Sequence, residues 1–253
     1  MNSEWALWMG ISTAGLFLGL LGGGGGILLV PLLIFLGGAT PTSAASESLT
    51  LLGIGAGIGA ALYSKRGQVD FQKGTIFALA SFTTWLAVKK ILLPLLPQAS
   101  SRDAIIFGLF LLVMCISGTL MLLPKRKEAP QPQTSASRTL LGGTLAGAIM
   151  GFTGAGGGFV IVPSLVKGLG IPMKRAVGTS LWVIAATAAG GWFFSSSGDL
   201  LPSSPRIAAL VLGVIPGFLV SNRFSSEGLR RTFGAFTWLV ALGSLFLKWK
   251  GPG

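Results

Sequence analysis

Apolar residues fill the chain in long blocks, broken by short polar, proline or glycine interruptions. The blocks fall near residues 5–21, 24–38, 43–63, 71–90, 103–123, 139–153, 158–170, 175–196, 205–222 and 229–248. About 20 apolar residues suffice for a helix to cross a ~30 Å hydrocarbon core. The pattern therefore predicts an all-α polytopic membrane protein with about 8 to 10 membrane segments. One long polar stretch interrupts it, PKRKEAPQPQTSASR (Pro124 to Arg138), rich in Pro, Gln and Ser. It reads as a linker (124–138) between a first membrane repeat (1–123) and a second (139–253).

The two halves resemble each other. GLFLGLLGGGGGILLVPLL (Gly15 to Leu33) aligns without gaps on GAIMGFTGAGGGFVIVPSL (Gly147 to Leu165), at a constant offset of 132. Nine of those nineteen pairs are identical, among them Gly24/Gly156, Gly25/Gly157, Gly26/Gly158 and Pro31/Pro163. The same offset pairs Ser48-Leu49 with Ser180-Leu181. FGLF (Phe107 to Phe110) resembles FGAF (Phe233 to Phe236) after six residues are dropped from the second half.

Whether each half crosses the membrane an odd or even number of times depends on residues 5–38. As one helix they would extend about 50 Å, too long for a bilayer, and each glycine would cost up to ~1 kcal/mol relative to alanine. Charge provides a second criterion. Read as a single span, that stretch leaves the 19 Lys and Arg divided ten to nine. Folded back at the glycines, it puts thirteen on the linker side and leaves six (Lys89, Lys90, Arg102, Arg206, Lys248 and Lys250) on the other. A positive-inside bias favours the second arrangement. Each half is thus expected to open with a Gly-broken helical hairpin, either re-entrant or fully spanning. The halves would be inverted repeats, with both termini outside the cytoplasm.

Composition agrees. Hydrophobic residues make up 51% and charged residues 10%, whereas a soluble domain carries roughly a quarter charged side chains. The net charge of +12 is concentrated in the interruptions, so it reports membrane orientation and not a nucleic-acid partner. With no His and a single Cys, Cys115, neither a metal site nor a disulfide is expected, nor a cofactor. The opening MNSEWALWMGIS lacks a basic n-region and is expected to be a retained membrane segment. The seven Trp mostly fall near block ends and read as interfacial anchors, and Lys89 and Lys90 as snorkelling side chains.

Backbone N–H groups freed at a helix break cannot stay unpaired in lipid, and a helix N-terminus attracts anions. Gly22 to Gly26 and Gly154 to Gly158 are therefore candidate anion cradles, each opening a helix that runs into a further break at Pro31 or Pro163. The alternative is that these glycines only permit close packing. Ser48, Thr179 and Ser180 are candidate hydroxyl donors to an oxyanion, unless they bond the carbonyl four residues back. Among seven acidic residues only Glu47 is followed by a long uncharged run. It is a candidate for coupling protons to substrate movement, or else a wet carboxylate favoured by its helix dipole.

G-x-G-G-G-[FI]-x-[VL]-V-P followed by A-V-G-T-S-L resembles the TauE/SafE family of sulfite-exporter-like permeases. The second half shows it best, from Gly154 to Gly191 and from Gly213 to Phe236, with Gly22 to Gly37 in the first. The resemblance implies transport of small sulfur-containing anions, sulfite or organosulfonates, across the cytoplasmic membrane. It implicates Gly156, Gly157, Gly158, Pro163, Thr179 and Ser180, with Gly24, Gly25, Gly26, Pro31 and Ser48 as counterparts. Ala45, Ser46 and Glu47 depart from it, standing where V-G-T would be. The expectation is a multi-pass secondary transporter working by alternating access, with the lipid bilayer, a small anion and coupling protons as partners. A passive anion channel, a membrane scaffold subunit and an intramembrane lipid-phosphate enzyme are the alternatives, the last short of convergent acids and bases.

Overall fold

The computed structural model describes residues 2–39, 41–92, 100–124, 136–153, 157–193 and 203–250, and no strand occurs among them. The helices are α1 (Asn2–Leu21), α2 (Gly25–Phe35), α3 (Pro41–Ser64), α4 (Phe71–Ala87, prolonged by a π turn at Val88–Leu92) and α5 (Ser100–Leu122). The second half holds α6 (Ala136–Thr153), α7 (Gly158–Pro163, prolonged by a π turn at Ser164–Gly168), α8 (Met173–Phe193), α9 (Ser204–Ser221) and α10 (Ser226–Lys250). Each apolar block has become one helix. Of the expected linker, 125–135 lie outside the described residues, and Ala136 to Arg138 already belong to α6.

Lengths sort the helices. The segments Glu4–Leu21, Phe71–Leu92 and Ser204–Ser221 are long and apolar enough to cross a membrane. The 24 residues of α3 and 21 of α8 are also long enough, but rich in Gly, Ala, Ser and Thr. That composition suits helices pressed together in the interior, and α3 and α8 do pack on each other. By contrast α2, at 11 residues, rises only about 16 Å, half of a hydrocarbon core.

The glycine run turns the chain as expected. α1 ends where Gly22 takes φ +74°, a left-handed conformation that suits glycine, its N–H donating to Leu18 O at 2.9 Å. α2 then returns along α1. A methyl group on Gly25 would strike Ala14 O, and one on Gly10 would strike the Leu32 side chain, so late α1 faces early α2. This is a hairpin with a half-length second arm.

Close approaches at glycines also give the direction of each helix pair. Gly213 lies against Ser12 and Leu16 and Gly217 against Leu16 and Leu20, so α1 and α9 run parallel. Gly143 meets Phe77, Gly147 meets Ser81 and Gly151 meets Trp85 and Val88, so α4 and α6 are parallel as well. Gly191 meets Leu49, Gly53 meets Ala188 and Gly59 meets Leu181, which makes α3 and α8 antiparallel. Gly234 faces Gly118 and Leu122, and Trp238 Nε1 donates to Thr119, which makes α5 and α10 antiparallel too.

The first helix of each half therefore packs on the fourth helix of the other. The third and fifth helices pack on their own counterparts, head to tail. Among the described residues, five helices of alternating direction per half, with α2 and α7 counted as returns, reproduce all four relations, whereas four would make α3 and α8 parallel. The halves are interleaved and do not form separate bodies. Leu79, Leu112, Leu141, Leu212 and Leu239 are exposed on the outside of the bundle, where a bilayer supplies their apolar surroundings.

Candidate functional site

Both glycine breaks come to one place. Gly24 is the N-cap of α2 and Gly157, at φ +58°, is the N-cap of α7. Neither residue has a side chain with which to cap, so the first N–H groups of each helix lack an acceptor within it. Between the two N-termini, Gly23 touches Gly158 backbone to backbone. A methyl on Gly23 would lie 2.5 Å from the Gly158 carbonyl carbon, and one on Gly158 would lie 2.3 Å from Gly23 Cα. No larger residue fits at either position. Each N-terminus carries roughly half a positive charge, and the two converge in the interior of the bundle.

The surroundings are closed. Gly24 lies under the Phe236 ring, which stacks on Phe17 with centroids 4.1 Å apart. Gly157 lies against Met150, and Gly25 and Gly26 are buried in the first turn of α2. Gly156 lies outside the described residues. In this conformation the glycines are packed against protein, so their close-packing role is visible directly.

Ser180, fully buried on α8, reaches across to the opposite break. Its Oγ lies 2.8 Å from the carbonyl oxygens of both Gly22 and Val177. With one proton it satisfies one of them at a time. Ser48, its counterpart, is buried on α3. Thr179 is placed elsewhere. Its hydroxyl donates to Arg175 O at 2.7 Å and accepts from Asp70 N at 2.9 Å, tying α8 to the turn between α3 and α4. Glu47 lies near the opposite end of α3, half-buried, 2.5 Å from Arg206 Nη1. The structure thus gathers Gly23, Gly24, Gly157, Gly158 and Ser180, and leaves Thr179 and Glu47 at opposite ends of the bundle.

The prolines differ from expectation. Pro31 lies inside a continuous α2 and does not break it. A helical proline removes one ladder hydrogen bond, here the one to Ile27 O, and α2 continues through it to Phe35. Pro163 marks a change of geometry, since α7 passes there into its π turn. The real breaks are at the glycines.

Sequence reasoning missed three polar groups. Arg206 enters the charge count only as one of six cations on the side away from the linker, yet it is the partner of Glu47. Tyr63 buries its hydroxyl and donates to Gly19 O at 2.9 Å, one turn before the break. As the only tyrosine of the chain, set in a Gly- and Ala-rich helix, it could have been noticed. Arg230 is buried at the start of α10. Trp182 and Trp238 bridge helices, with Nε1 donating to Thr75 and Thr119, and so are more than interfacial anchors. Lys89 does sit as expected, exposed, its Nζ 5.0 Å from the centroid of Trp85.

Comparison with known proteins now bears on this geometry. The family model described as Sulfite exporter TauE/SafE matches residues 7–250. The chain belongs to the TauE/SafE family. It is 31% identical over 249 residues to a probable membrane transporter protein of Xylella fastidiosa strain 9a5c, covering 93% of this chain and 92% of that one. A protein of the same description from strain Temecula1 is 30% identical with the same coverage. No solved structure matches significantly. Family and relatives place this TauE/SafE chain among membrane transporters, and its apolar helices make it a multi-pass membrane protein.

Proposed function

We propose that this protein is a secondary transporter that carries a small sulfur-containing anion, of the sulfite or organosulfonate class, across the cytoplasmic membrane. Transport would proceed by alternating access between two inverted halves. The observation that carries this reading is the meeting of two half-length, glycine-capped helix N-termini at Gly23 and Gly158. Broken helices whose positive ends face a common point inside a bundle suit an anionic substrate. Antiparallel packing of α3 on α8 and of α5 on α10 supports the inversion, and the thirteen-to-six division of Lys and Arg supports a cytoplasmic linker.

Gly24, Gly25, Gly26, Gly156, Gly157 and Gly158 would supply backbone N–H donors, with Ser48 and Ser180 supplying hydroxyls. Ser180 now holds Gly22, so it would be released as the two breaks part. Thr179 would act as a tether for the α3–α4 turn. Glu47 is paired with Arg206 across α3 and α9 and lies away from the glycine breaks, which favours a role in closure over proton carriage.

The experiment is counterflow of labelled sulfite into proteoliposomes, with sulfonates, thiosulfate and sulfate as competitors. The expected result is saturable accumulation driven by unlabelled sulfite inside. Sulfite flux that equilibrates without transient accumulation is the result of a passive pore and would overturn the carrier mechanism. No flux of any of these anions in a folded preparation would overturn the substrate class.

A further inference from the structure

The repeat offset of 132 pairs Glu47 with Thr179 and Gly74 with Arg206. Both couples are in contact, at opposite ends of the bundle. At one face α3 meets α9 through Glu47 Oε1 and Arg206 Nη1. At the other face α8 meets α4, where a methyl on Gly74 would lie 3.2 Å from Thr179 Cγ2. These are equivalent closures made from different chemistry.

The contacts that cross from α8 to α4 are neutral and aromatic. Trp182 covers Gly74, donates to Thr75 Oγ1 at 3.2 Å and sets its ring edge-on to Phe71 at 5.2 Å. The positions equivalent to Trp182, Thr75 and Phe71 are Thr50, Ile207 and Ser203, which cannot reproduce that packing. The α3–α9 closure has an ion pair instead, and its side chains remain 17% and 27% exposed. Solutes in water can therefore reach it.

We infer that Arg206 is the receiving group for the substrate oxyanion at the α3–α9 face, and that Glu47 is a built-in placeholder which the substrate displaces. This rests on the anion-transport reading. A guanidinium is charged at any physiological pH and presents its donors in a fork that matches carboxylate, sulfite and sulfonate alike. Exchanging Glu47 for an incoming anion swaps one oxyanion for another at the same cation. Partly exposed pairs are weak, so a solute can compete. Once Glu47 is released, the ion pair between α3 and α9 at that face is gone and the face can open, while Tyr63 and Ser221 hold the far ends of the same two helices together. At the opposite closure the charged pair, Asp70 with Lys73, lies within the start of α4 and does not join α4 to α8, so exchanging it would not part the two helices.

The test compares Arg206→Gln with Glu47→Gln, measuring sulfite KM from each face in right-side-out and inverted vesicles. Arg206→Gln is expected to raise KM ten-fold or more from the α3–α9 face and to leave the other face within two-fold. Glu47→Gln, which leaves Arg206 uncontested, is expected to lower KM several-fold from that same face. A purely structural pair would shift KM in the same direction in both variants, and that result overturns the assignment. Spin labels at Ser43→Cys and Ser203→Cys, in a Cys115→Ser background, give a second readout. Their separation is expected to lengthen in sulfite but not in gluconate of equal ionic strength; equal separations overturn the assignment. Glu47→Arg combined with Arg206→Glu should restore the short separation and bring KM within a few-fold of the parent, which separates receptor loss from misfolding. A parent protein that takes up no anion overturns the transport reading alone, and the label separations then decide the latch.

Discussion

At Gly23 and Gly158 a single methyl group decides whether the breaks can meet. The atoms that a new Cβ would strike are backbone, which cannot swing aside as a flexible side chain can. Gly158→Ala is therefore expected to cost about 1–3 kcal/mol by overpacking and to reduce sulfite uptake at least ten-fold. Thermal unfolding in detergent and uptake in vesicles check the two effects, and an unchanged protein by both would show that the breaks do not touch. Arg230 is the second residue on which much depends. Its guanidinium is buried, donates to Met121 O and Leu123 O at the end of α5, and is bound by Glu227. Arg230→Met should cost about 2–3 kcal/mol because those carbonyls lose a charged donor. Glu227 itself stands exposed ahead of the apolar run of α10, its carboxyl drawn down from 4.5 to about 2 by hydrogen bonds from Arg230 and Arg231. A carboxyl lowered on folding contributes stability above its unfolded pKa and loses it as pH falls through the folded one. The advantage of the parent over Glu227→Gln should hold at pH 7, fade below about 4.5 and vanish near 2, as acid titration of the melting midpoint will show.

At the scale of helices, small residues set which ones pair. Gly15 and Gly19 on α1 face Gly213 and Gly217 on α9, with backbones close enough that a methyl on Gly213 would strike Ser12 O. Such small-xxx-small faces hold helices together in a bilayer, where the hydrophobic effect gives no preference for helix over lipid. Gly213→Leu should therefore separate α1 from α9 and lower the melting midpoint by several degrees, whereas Leu212→Ala, on an exposed flank, should leave it nearly unchanged. The ten helices of the described residues were legible because each apolar block is closed by its own polar or glycine stop. The α1–α2 hairpin was legible because five glycines and the charge count agreed. What the sequence hid was partnership across the halves. The Glu47–Arg206 contact joins residues 159 apart, and nothing local in either segment marks it. The glycine spacing that pairs α1 with α9 was visible, but its partner helix was not. Ser180 was found by repetition and by the family resemblance, and the carbonyl it holds became evident only once α8 was seen to pass the opposite break.

For the whole molecule, an inverted arrangement depends on an odd number of passes per half. Five passes put the N-terminus and the 125–135 linker on opposite sides of the membrane; four would put them on the same side. The C-terminus does not discriminate, since ten passes and eight both return it to the side of the N-terminus. Single cysteines at position 2 and at position 130, each in a Cys115→Ser background, therefore decide the matter with a membrane-impermeant maleimide. In intact cells the cysteine at position 2 is expected to react, and the one at 130 to react only after permeabilisation. Equal reactivity of the two in intact cells would mean an even number of passes. The two halves would then share one orientation, and the antiparallel packing of α3 on α8 could not persist in a bilayer. The positive residues make the same choice for an electrostatic reason. Moving the linker outward would carry Lys125, Arg126, Lys127 and Arg138 across the membrane with it, against the bias that orients helices during insertion. Replacing those four by Gln should therefore weaken the orientation before it disturbs the packing. The expected outcome is a mixed labelling pattern from a protein with an unchanged melting midpoint, because the contacts described above that pair the helices are made by residues within the bundle.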